Sequence, residues 1–301
     1  MRVFLTGASG LIGAGLASDL LRDGHEVLAV SRVQRSEAAG GERRGIEWIV
    51  GDVCQAGSWC DALERCDAVV HLAGEPVVAG RWTAARKRRI VASRVESARQ
   101  IAAVVRRANA GLRVLVCASA SGFYGSRGEE QLSEDSAAGD DFLARLCADW
   151  EAAANEAAEN ARVVSLRFGV VLSAKGGALA RMLLPFRLGL GGPLGPAGRW
   201  FPWVHEDDAI GLTRFALEHA IQGPVNVVAP GSVTMGEFAK TLGRVLARPA
   251  VLPVPGFLLS LALGEQAGAI MAGQKIAPQA AEAAGYAFRH AELESALRAL
   301  L

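Results

Sequence analysis

The chain has 301 residues, of which 51% are hydrophobic and 21% are charged, and its formal net charge is +1. This composition excludes a disordered chain, and the near-neutral charge gives no general attraction to nucleic acid or to an anionic membrane. Aromatic residues make up only 6% of the chain, which leaves a poor stacking platform for RNA. We therefore expect a globular protein with neither nucleic acid nor membrane as a partner.

Short apolar runs alternate with amphipathic stretches along the chain. Because these runs contain few polar residues, they predict strands that are covered on both faces of a parallel sheet. The predicted strands are 2–6, 26–30, 46–50, 67–72, 113–118, 162–168 and 225–228. The predicted helices are 11–22, 59–65, 84–108, 142–159 and 206–220. The pattern is that of an α/β fold with a Rossmann-type doubly wound parallel sheet.

The later part of the chain differs in composition. Residues 186–203 (FRLGLGGPLGPAGRWFPW) are rich in Gly and Pro, and they predict either an ordered functional loop or a packed surface loop. We expect residues 1–245 to form a nucleotide-binding domain with a substrate-lobe insertion near 173–204. Residues 246–301 are expected to form a small, mostly helical C-terminal lobe.

Targeting and membrane signals are weak. The most apolar run, 251–273, is interrupted by two prolines and by Glu265-Gln266, so its core is shorter than the ~20 residues of a membrane span. The first residues enter a predicted strand directly, without the pattern of a signal peptide. The five cysteines form no C-x-x-C pair and fit no common metal-ligand spacing. We expect a reduced, cytoplasmic protein without a metal site.

The segment TGASGLIG (6–13) follows the first strand and opens the first helix. Gly7 permits a tight turn, Gly10 lets the backbone approach a pyrophosphate, and Gly13 allows close packing of the helix. Phosphates would bind the backbone N–H groups at the helix N-terminus, from Ser9 through Leu11 and Ile12. In this strand–turn–helix context the motif predicts dinucleotide binding.

The end of the second strand predicts which dinucleotide is bound. An acidic residue here would bind the ribose 2′-OH of NAD, but the chain has Ser31 and Arg32, with Arg35 close behind. A guanidinium suits a 2′-phosphate, which favours NADP(H) over NAD(H), although Arg is common in this chain.

Two later loops fit the same site. Asp52 and Val53 follow the third strand, where Asp52 could bind the adenine amino group. Leu72, Ala73 and Gly74 follow the fourth strand, where small residues let the chain pass close to a cofactor. His71, directly before them, is more typical of a satisfied buried histidine than of a catalyst.

Several stretches resemble the extended and atypical short-chain dehydrogenases/reductases, and more narrowly the epimerase-family proteins with a C-terminal domain of unknown function. They cover most of the chain: HLAGEPV (71–77), RWTAARKRRIVASRV (81–95), SASGFYG (119–125), LRFGVVLS (166–173), LLPFRLGLGGPLG (183–195), WVHEDDAIG (203–211) and GQKIAPQAAEAAGYAF (273–288). The resemblance implies an NADP(H)-binding oxidoreductase or epimerase-like enzyme acting on a small polar molecule.

The chain departs from that group at its catalytic motif. Active members use a Ser or Thr together with the Tyr of Tyr-x-x-x-Lys as acid or base. Here Leu143 and Cys147 stand at the Tyr and Lys positions, and neither tyrosine of the chain has Lys four residues later. Ser119 and Tyr124 are the remaining catalytic candidates, and the alternative for Tyr124 is a ring packed under its loop. A nucleophilic Cys147 is a weaker hypothesis than a buried helix cysteine.

The resemblance also implies roles for residues outside the glycine motif. Arg94 could reach the cofactor phosphates and partly replace the missing Lys, and Val170 matches a position that packs near the nicotinamide. Lys87, Lys175 and His205 are weaker catalytic candidates, and Asp207 and Asp208 are predicted to cap the helix that follows. Four residues could wall a substrate pocket: Trp82, Arg199, Trp200 and Trp203.

Two functions remain open. The chain is either an enzyme of the kind that the resemblance implies or an NADPH-responsive binding protein whose C-terminal lobe meets a partner. A homodimer is compatible with both.

Overall fold

The computed structural model describes residues 1–35, 45–78, 80–108 and 111–301. Its centre is a seven-stranded sheet, in which every neighbouring pair of strands is parallel. In chain order the sheet strands are β1 (Arg2–Thr6), β2 (Glu26–Ser31), β3 (Ile46–Val50), β4 (Ala68–His71), β5 (Val114–Ala120), β7 (Arg162–Phe168) and β11 (Gly223–Val227). All seven predicted strands are confirmed, and their spatial order is β11-β7-β5-β4-β1-β2-β3.

Helices cover both faces of the sheet, as expected for apolar strands. They are α1 (Leu11–Arg22), α2 (Trp59–Leu63), α3 (Ala84–Val91), α4 (Ser97–Arg107), α5 (Phe142–Asn155), α6 (Gly177–Arg187), α7 (Glu206–Glu218), α8 (Met235–Val245), α9 (Gly256–Leu263), α10 (Gln266–Met271), α11 (Gln279–Ala283) and α12 (Leu293–Leu300). Helices α1 and α7 pack on one face, and α2, α4 and α5 pack on the other. The chain order reverses between β1 and β4, the point at which such sheets bind ligands at their carboxyl ends.

A third hydrophobic cluster lies beyond the sheet. It joins Met182 and Phe186 of α6, Phe238 of α8 and Leu297 of α12. Short strand pairs complete this region: β6 (Gln131–Leu132), β8 (Val170–Leu172), β9 (Trp200–Phe201), β10 (Trp203–His205), β12 (Val233–Thr234) and β13 (Lys275–Ile276). Helices α8 and α12 share one core, so the two sides of the proposed boundary at 245 pack together. The division into domains 1–245 and 246–301 stays a prediction.

One of two further stretches differs from the expectation. The segment predicted as one helix over 84–108 contains a π-helical turn, Ala92–Glu96, between α3 and α4. The apolar run 251–273 folds into the short helices α9 and α10, and no helix in the described ranges is long and apolar enough to cross a membrane.

Candidate functional site

A cavity of about 640 Å³ opens at the carboxyl ends of the strands. Many of the residues predicted for a cofactor or catalytic site line it: Gly7, Gly10, Leu11, Ile12, Gly13, Leu72, Gly74, Arg94, Ser119 and Val170. The topology thus brings the glycine turn, the loop after β4, the π-turn and the end of β5 to one place.

The glycine turn has no room for side chains. Gly7 has φ +75°, and a Cβ there would lie 2.8 Å from the carbonyl carbon of Leu72. A Cβ on Gly13 would lie 2.3 Å from the carbonyl oxygen of Gly7, so this glycine lets the first turn of α1 pack on the loop. The backbone therefore requires glycine at both positions, as the motif predicted.

The N-terminus of α1 is open towards the cavity. Its N-cap residue is Gly10, which has no side chain to accept a hydrogen bond from the first-turn N–H groups. Leu11 and Ile12, in that first turn, line the cavity, and Ser9 is exposed. Free N–H groups and the helix dipole make this end suitable for an anion such as a pyrophosphate.

His71 supports the site from beneath. The N–H groups of Leu72 and Ala73 donate to Thr6 Oγ1 at 3.2 and 3.1 Å, so the Thr6 hydroxyl donates its own proton to His71 Nδ1 at 2.7 Å. His71 then carries its proton on Nε2 and donates to Ser97 Oγ at 2.9 Å. Burial lowers the pKa of His71 to about 3, so the ring is neutral and structural.

Arg94 projects from the π-turn to the loop after β4. Its guanidinium donates to the Glu75 carbonyl at 2.9 Å and lies over the Trp150 ring, 5.2 Å from the centroid. A Cβ on Gly74 would lie 3.1 Å from its Cζ, so a larger residue at this position would press on the guanidinium. Burial lowers the pKa of Arg94 and the nearby Glu75 charge raises it, but no carboxylate among the described residues forms an ion pair with it. The cavity therefore holds a half-buried cation beside the glycine turn.

The residues predicted to contact the adenosine half lie beside the cavity rather than in its lining. Arg32 is exposed beyond β2, and Arg35 donates to Ser31 Oγ at 3.2 Å. Asp52 Oδ1 accepts the N–H of Cys54 at 3.0 Å, and Val53 is buried in the core. Ser31 pairs with Val50 across β2 and β3, so both loops leave the same edge of the sheet.

Ser119 ends β5 and lines the cavity, where its hydroxyl donates to Glu151 Oε1 at 2.6 Å. Arg167 holds that carboxylate with two bonds, Nε to Oε1 at 2.9 Å and Nη2 to Oε2 at 2.8 Å. Because the proton of Ser119 points at Glu151, its lone pairs are available to accept a proton from the cavity. Glu151 was not among the predicted site residues, and its place one helical turn after Cys147 is the signal that could have identified it.

Tyr124 does not reach the cavity. Its ring is fully buried, and its hydroxyl donates to Asn226 Oδ1 at 2.7 Å and accepts from Arg167 Nη1 at 2.9 Å. Burial raises the pKa of the phenol, which keeps it protonated. The geometry therefore corrects the catalytic hypothesis for Tyr124, which holds Arg167 in place instead.

The positions of the absent Tyr-x-x-x-Lys pair face the cavity. Leu143 and Cys147 both line it from α5. Burial, and then the Glu151 charge, raise the pKa of the Cys147 thiol to about 12, so Cys147 is not a nucleophile at neutral pH.

The far wall comes from the later segments of the chain. Trp82 and Arg199 line the cavity, as predicted, whereas Trp200 donates to Glu129 and the buried Trp203 donates to the Gly231 carbonyl. Several other lining residues were not named individually from the sequence, although the first two lie in the expected substrate-lobe insertion: Met182, Leu194, Met235, Gln266 and Gln274. They come from four distant segments, so no local motif identifies them.

The weaker candidates have partners outside the cavity lining. Lys87 pairs with Glu265 at 2.6 Å, and Lys175 lies 3.6 Å from Glu206. His205 Nδ1, rather than an aspartate, caps α7 by accepting the N–H of Asp207 at 3.0 Å.

Asp208, predicted as a cap, instead fixes the C-terminal segment. It is buried and accepts the N–H groups of Arg289 and His290, each at 2.9 Å. One nearby group, His205, Asp207 and His290, has ligand atoms within 4.8 Å of one another. The two rings stack at 3.6 Å, so their in-plane lone pairs do not converge on a shared metal ion.

The same fold and sequence features occur in known proteins. Residues 3–229 match the NAD dependent epimerase/dehydratase family, and residues 254–300 match a domain of unknown function, DUF1731. The epimerase family protein SDR39U1 of Bos taurus is 39% identical over 307 residues, covering 100% of both chains.

Two solved structures are similar over the whole of this chain. Human epimerase family protein SDR39U1 (isoform 2) with NADPH has a TM-score of 0.88 and 35% identity, covering 100% of this chain and 99% of that chain. A nucleoside-diphosphate sugar epimerase from Corynebacterium glutamicum has a TM-score of 0.80 and 32% identity, covering 100% of this chain and 58% of that chain. With most of its length matched by the family and a 39% identical relative matched end to end, this chain belongs to the NAD dependent epimerase/dehydratase family.

Proposed function

We propose that this protein is an NADP(H)-dependent oxidoreductase or epimerase-like enzyme that acts on a small molecule held in the cavity. The observation that carries the proposal is that one cavity joins an open helix N-terminus and the Arg94 cation to a serine whose proton is held by a carboxylate. A cofactor site beside a proton-handling group is what a dehydrogenase needs.

The described residues fit the dinucleotide. Gly7, Gly10 and Gly13 give the backbone the close approach that a pyrophosphate needs, and a Cβ on Gly7 or Gly13 would clash with neighbouring backbone. Arg94 is a half-buried cation whose hydrogen bonds go to carbonyls and to the Ser93 hydroxyl, so a phosphate would supply the direct ion pair that it does not make within the described residues. Val170 would pack against the nicotinamide ring.

The 2′-phosphate form of the cofactor is supported by the end of β2. Ser31 and Arg32 stand where an acidic residue would bind the 2′-OH of NAD, and Arg35 is held beside Ser31. A carboxylate here would repel a phosphate, whereas two guanidinium groups attract it. The human relative was crystallised with NADPH, which agrees with this preference.

Ser119 and Glu151 would handle the proton. In the direction of alcohol oxidation, the substrate hydroxyl gives its proton to Ser119 Oγ, and the proton of Ser119 passes to Glu151 Oε1 over the existing 2.6 Å hydrogen bond. Arg167 holds the carboxylate in the acceptor position. The bound nicotinamide would supply the hydride acceptor, or the donor in the reverse direction. Leu143 and Cys147 line the same cavity with weakly polar side chains, which would help to keep water away from the reacting atoms.

A direct test follows NADPH oxidation with a panel of aldehydes and ketones, comparing the wild type with Ser119→Ala and Glu151→Gln. We expect turnover in the wild type and at least about a 100-fold loss of kcat in both variants with NADPH affinity retained, the size usual for removal of a general acid or base. Equal turnover in all three proteins would reject the proton relay. An absence of wild-type turnover, with tight NADPH binding, would favour the second candidate.

That second candidate is an NADPH-responsive binding protein, favoured by the apolar residues at the Tyr and Lys positions. The C-terminal lobe bridges the cavity mouth, since Arg81 donates to the Leu261 carbonyl at 2.7 Å and Lys87 pairs with Glu265. A ligand in the cavity could therefore order this lobe. Different protease protection of residues 186–203 by NADPH and NADP+ would support such a switch, and identical protection would reject it.

The compartment is also a proposal. All five cysteines are free thiols, four of them buried, which fits a reducing compartment such as the cytoplasm.

A further inference from the structure

Arg199 is a cation at the substrate end of the cavity without a counter-charge. Its Nε donates to the Leu194 carbonyl at 3.3 Å, and Nη1 donates to the Ala272 carbonyl at 3.5 Å. Its third partner is the sulfur of Met235, a weak acceptor, at 2.9 Å from Nη2. No carboxylate pairs with Arg199 in the part of the chain that the structure describes, and burial alone lowers the pKa of its guanidinium to about 10.

Arg167 is a second buried arginine of this structure, and its charge is fully paired. Arg167 makes two bonds of 2.9 and 2.8 Å to Glu151, donates to Tyr124 and donates to the Glu134 carbonyl. A charge removed from water without such a partner lowers stability, so an unpaired cation in a cavity wall needs an explanation outside the folded chain.

The surroundings of Arg199 define what could pair with it. Three apolar residues of the cavity wall contact it, namely Leu194, Phe201 and Met235, and the uncharged amides Gln266 and Gln274 line the same cavity. The charged side chains among the described lining residues are Arg94, Asp141 and Arg199, so Arg199 is the one cation left if Arg94 serves the cofactor. A single guanidinium matches one carboxylate in a bidentate pair, whereas a diphosphate brings two negative charges.

A backbone hydrogen bond joins the segment that follows Arg199 to Val170, the residue predicted to pack near the nicotinamide. Two residues of β9 and Pro202 follow it, and the N–H of Val170 donates to the Pro202 carbonyl at 2.7 Å. A molecule that reaches from the Ser119 and Val170 side to Arg199 therefore crosses apolar walls and ends at a cation.

We propose, as a refinement of the function above, that Arg199 binds the carboxylate of a small substrate with an apolar body. The recognised chemistry is an aliphatic or aromatic carboxylic acid that carries its reacting oxygen at the end away from the carboxylate. The sequence led us to expect a small polar substrate. This proposal narrows that class to molecules with one carboxylate on an apolar body. A nucleotide sugar is the competing class.

The test measures melting temperatures of the full-length protein, with and without saturating NADPH, against hexanoate, octanoate and cinnamate, their matched amides, and UDP-glucose. We expect at least one carboxylate to raise the wild-type melting temperature in a saturable way, with no effect of its amide. Arg199→Met should remove that shift. Arg181→Met, which deletes an exposed arginine of α6, should retain it.

The ligand-free variants give an independent readout. If the role of Arg199 is to bind a ligand, the ligand-free Arg199→Met variant should have a melting temperature equal to or above that of the wild type. The substitution removes a half-buried charge that has no ion-pair partner among the described residues. A purely structural Arg199 would instead make that variant melt well below the wild type.

Three binding results would also overturn the inference: no shift with any of the carboxylates, a shift that survives in Arg199→Met, or an Arg199-dependent shift with UDP-glucose alone. These outcomes are read from binding and need no turnover. Failure of the proposed oxidoreductase activity, or of NADPH binding, would therefore be seen separately.

Discussion

The two ends of the cavity are built in different ways. The cofactor end consists of backbone and glycine from short, continuous stretches, namely 6–13 and 71–74, held from below by the Thr6–His71–Ser97 hydrogen bonds. The substrate end consists of side chains from α6, β9, α8 and α10, which are far apart in the chain. The first end follows a local geometric rule, and the second depends on how the C-terminal lobe packs.

The largest expected difference is in stability, between methionine substitutions of Arg167 and of Arg199. Arg167→Met should lower the free energy of unfolding by about 3 to 5 kcal/mol, because it leaves the Glu151 carboxylate buried without its partner. Arg199→Met should cause no loss of stability. Urea unfolding of both variants measures the difference, and equal losses would show that Arg199 is as structural as Arg167.

A methyl group in the glycine turn should disable the cofactor end. Gly13→Ala places a Cβ 2.3 Å from the Gly7 carbonyl oxygen. Overpacking of this kind costs about 1 to 3 kcal/mol, so we expect NADPH and NADH affinity to fall together by about 10- to 100-fold. Gly111→Ala, where a Cβ meets nothing within 4 Å, is the matched control. Unchanged NADPH titration of Gly13→Ala by tryptophan fluorescence would contradict the assigned turn.

Because His71 is buried and neutral beneath the cofactor end, the stability of the protein should depend on pH. Its pKa is lowered from 6.5 to about 3, so the unfolded chain takes up a proton that the folded chain does not when the pH falls below 6.5. The free energy of unfolding should therefore fall with acidification, by about 2 kcal/mol from this residue between pH 6.5 and about pH 5. Urea unfolding at several pH values should show a correspondingly smaller slope for His71→Asn. Identical slopes would mean that the fold does not lower the pKa of His71.

The smallest expected effect separates the two forms of the cofactor. Arg32→Ala removes an exposed guanidinium, and NADPH affinity should fall about 10-fold because one charge-assisted contact to the 2′-phosphate is lost. NADH affinity should stay unchanged, since NADH lacks that phosphate. Isothermal titration with both nucleotides measures this, and parallel losses would remove Arg32 from the 2′-phosphate site.

The predictable parts of this protein are those set by short-range patterns. Apolar runs located all seven sheet strands, and G-x-x-G-x-x-G located the turn and the start of α1. The π-turn that aims Arg94 was not predicted, because a helical pattern does not show where one extra residue enters a turn. Helices α6 and α8 were also missed, since Gly and Pro around them masked their periodicity.

The errors at the site have a common cause. Tyr124 was selected for its chemistry, but its burial against Asn226 and Arg167 depends on strands that are remote in sequence. Asp208 was assigned to the nearest helix end, yet it accepts N–H groups from a segment 81 and 82 residues later. Sequence spacing gives local partners only, and both residues use distant ones.

The most direct measurement is a crystal structure of this protein with NADPH. We expect the pyrophosphate at the N-terminus of α1 beside Arg94, the 2′-phosphate at Arg32, and the nicotinamide ring between Val170 and Ser119. A cofactor bound with its nicotinamide away from Ser119, or a cavity that stays free of cofactor at saturating NADPH, would contradict it.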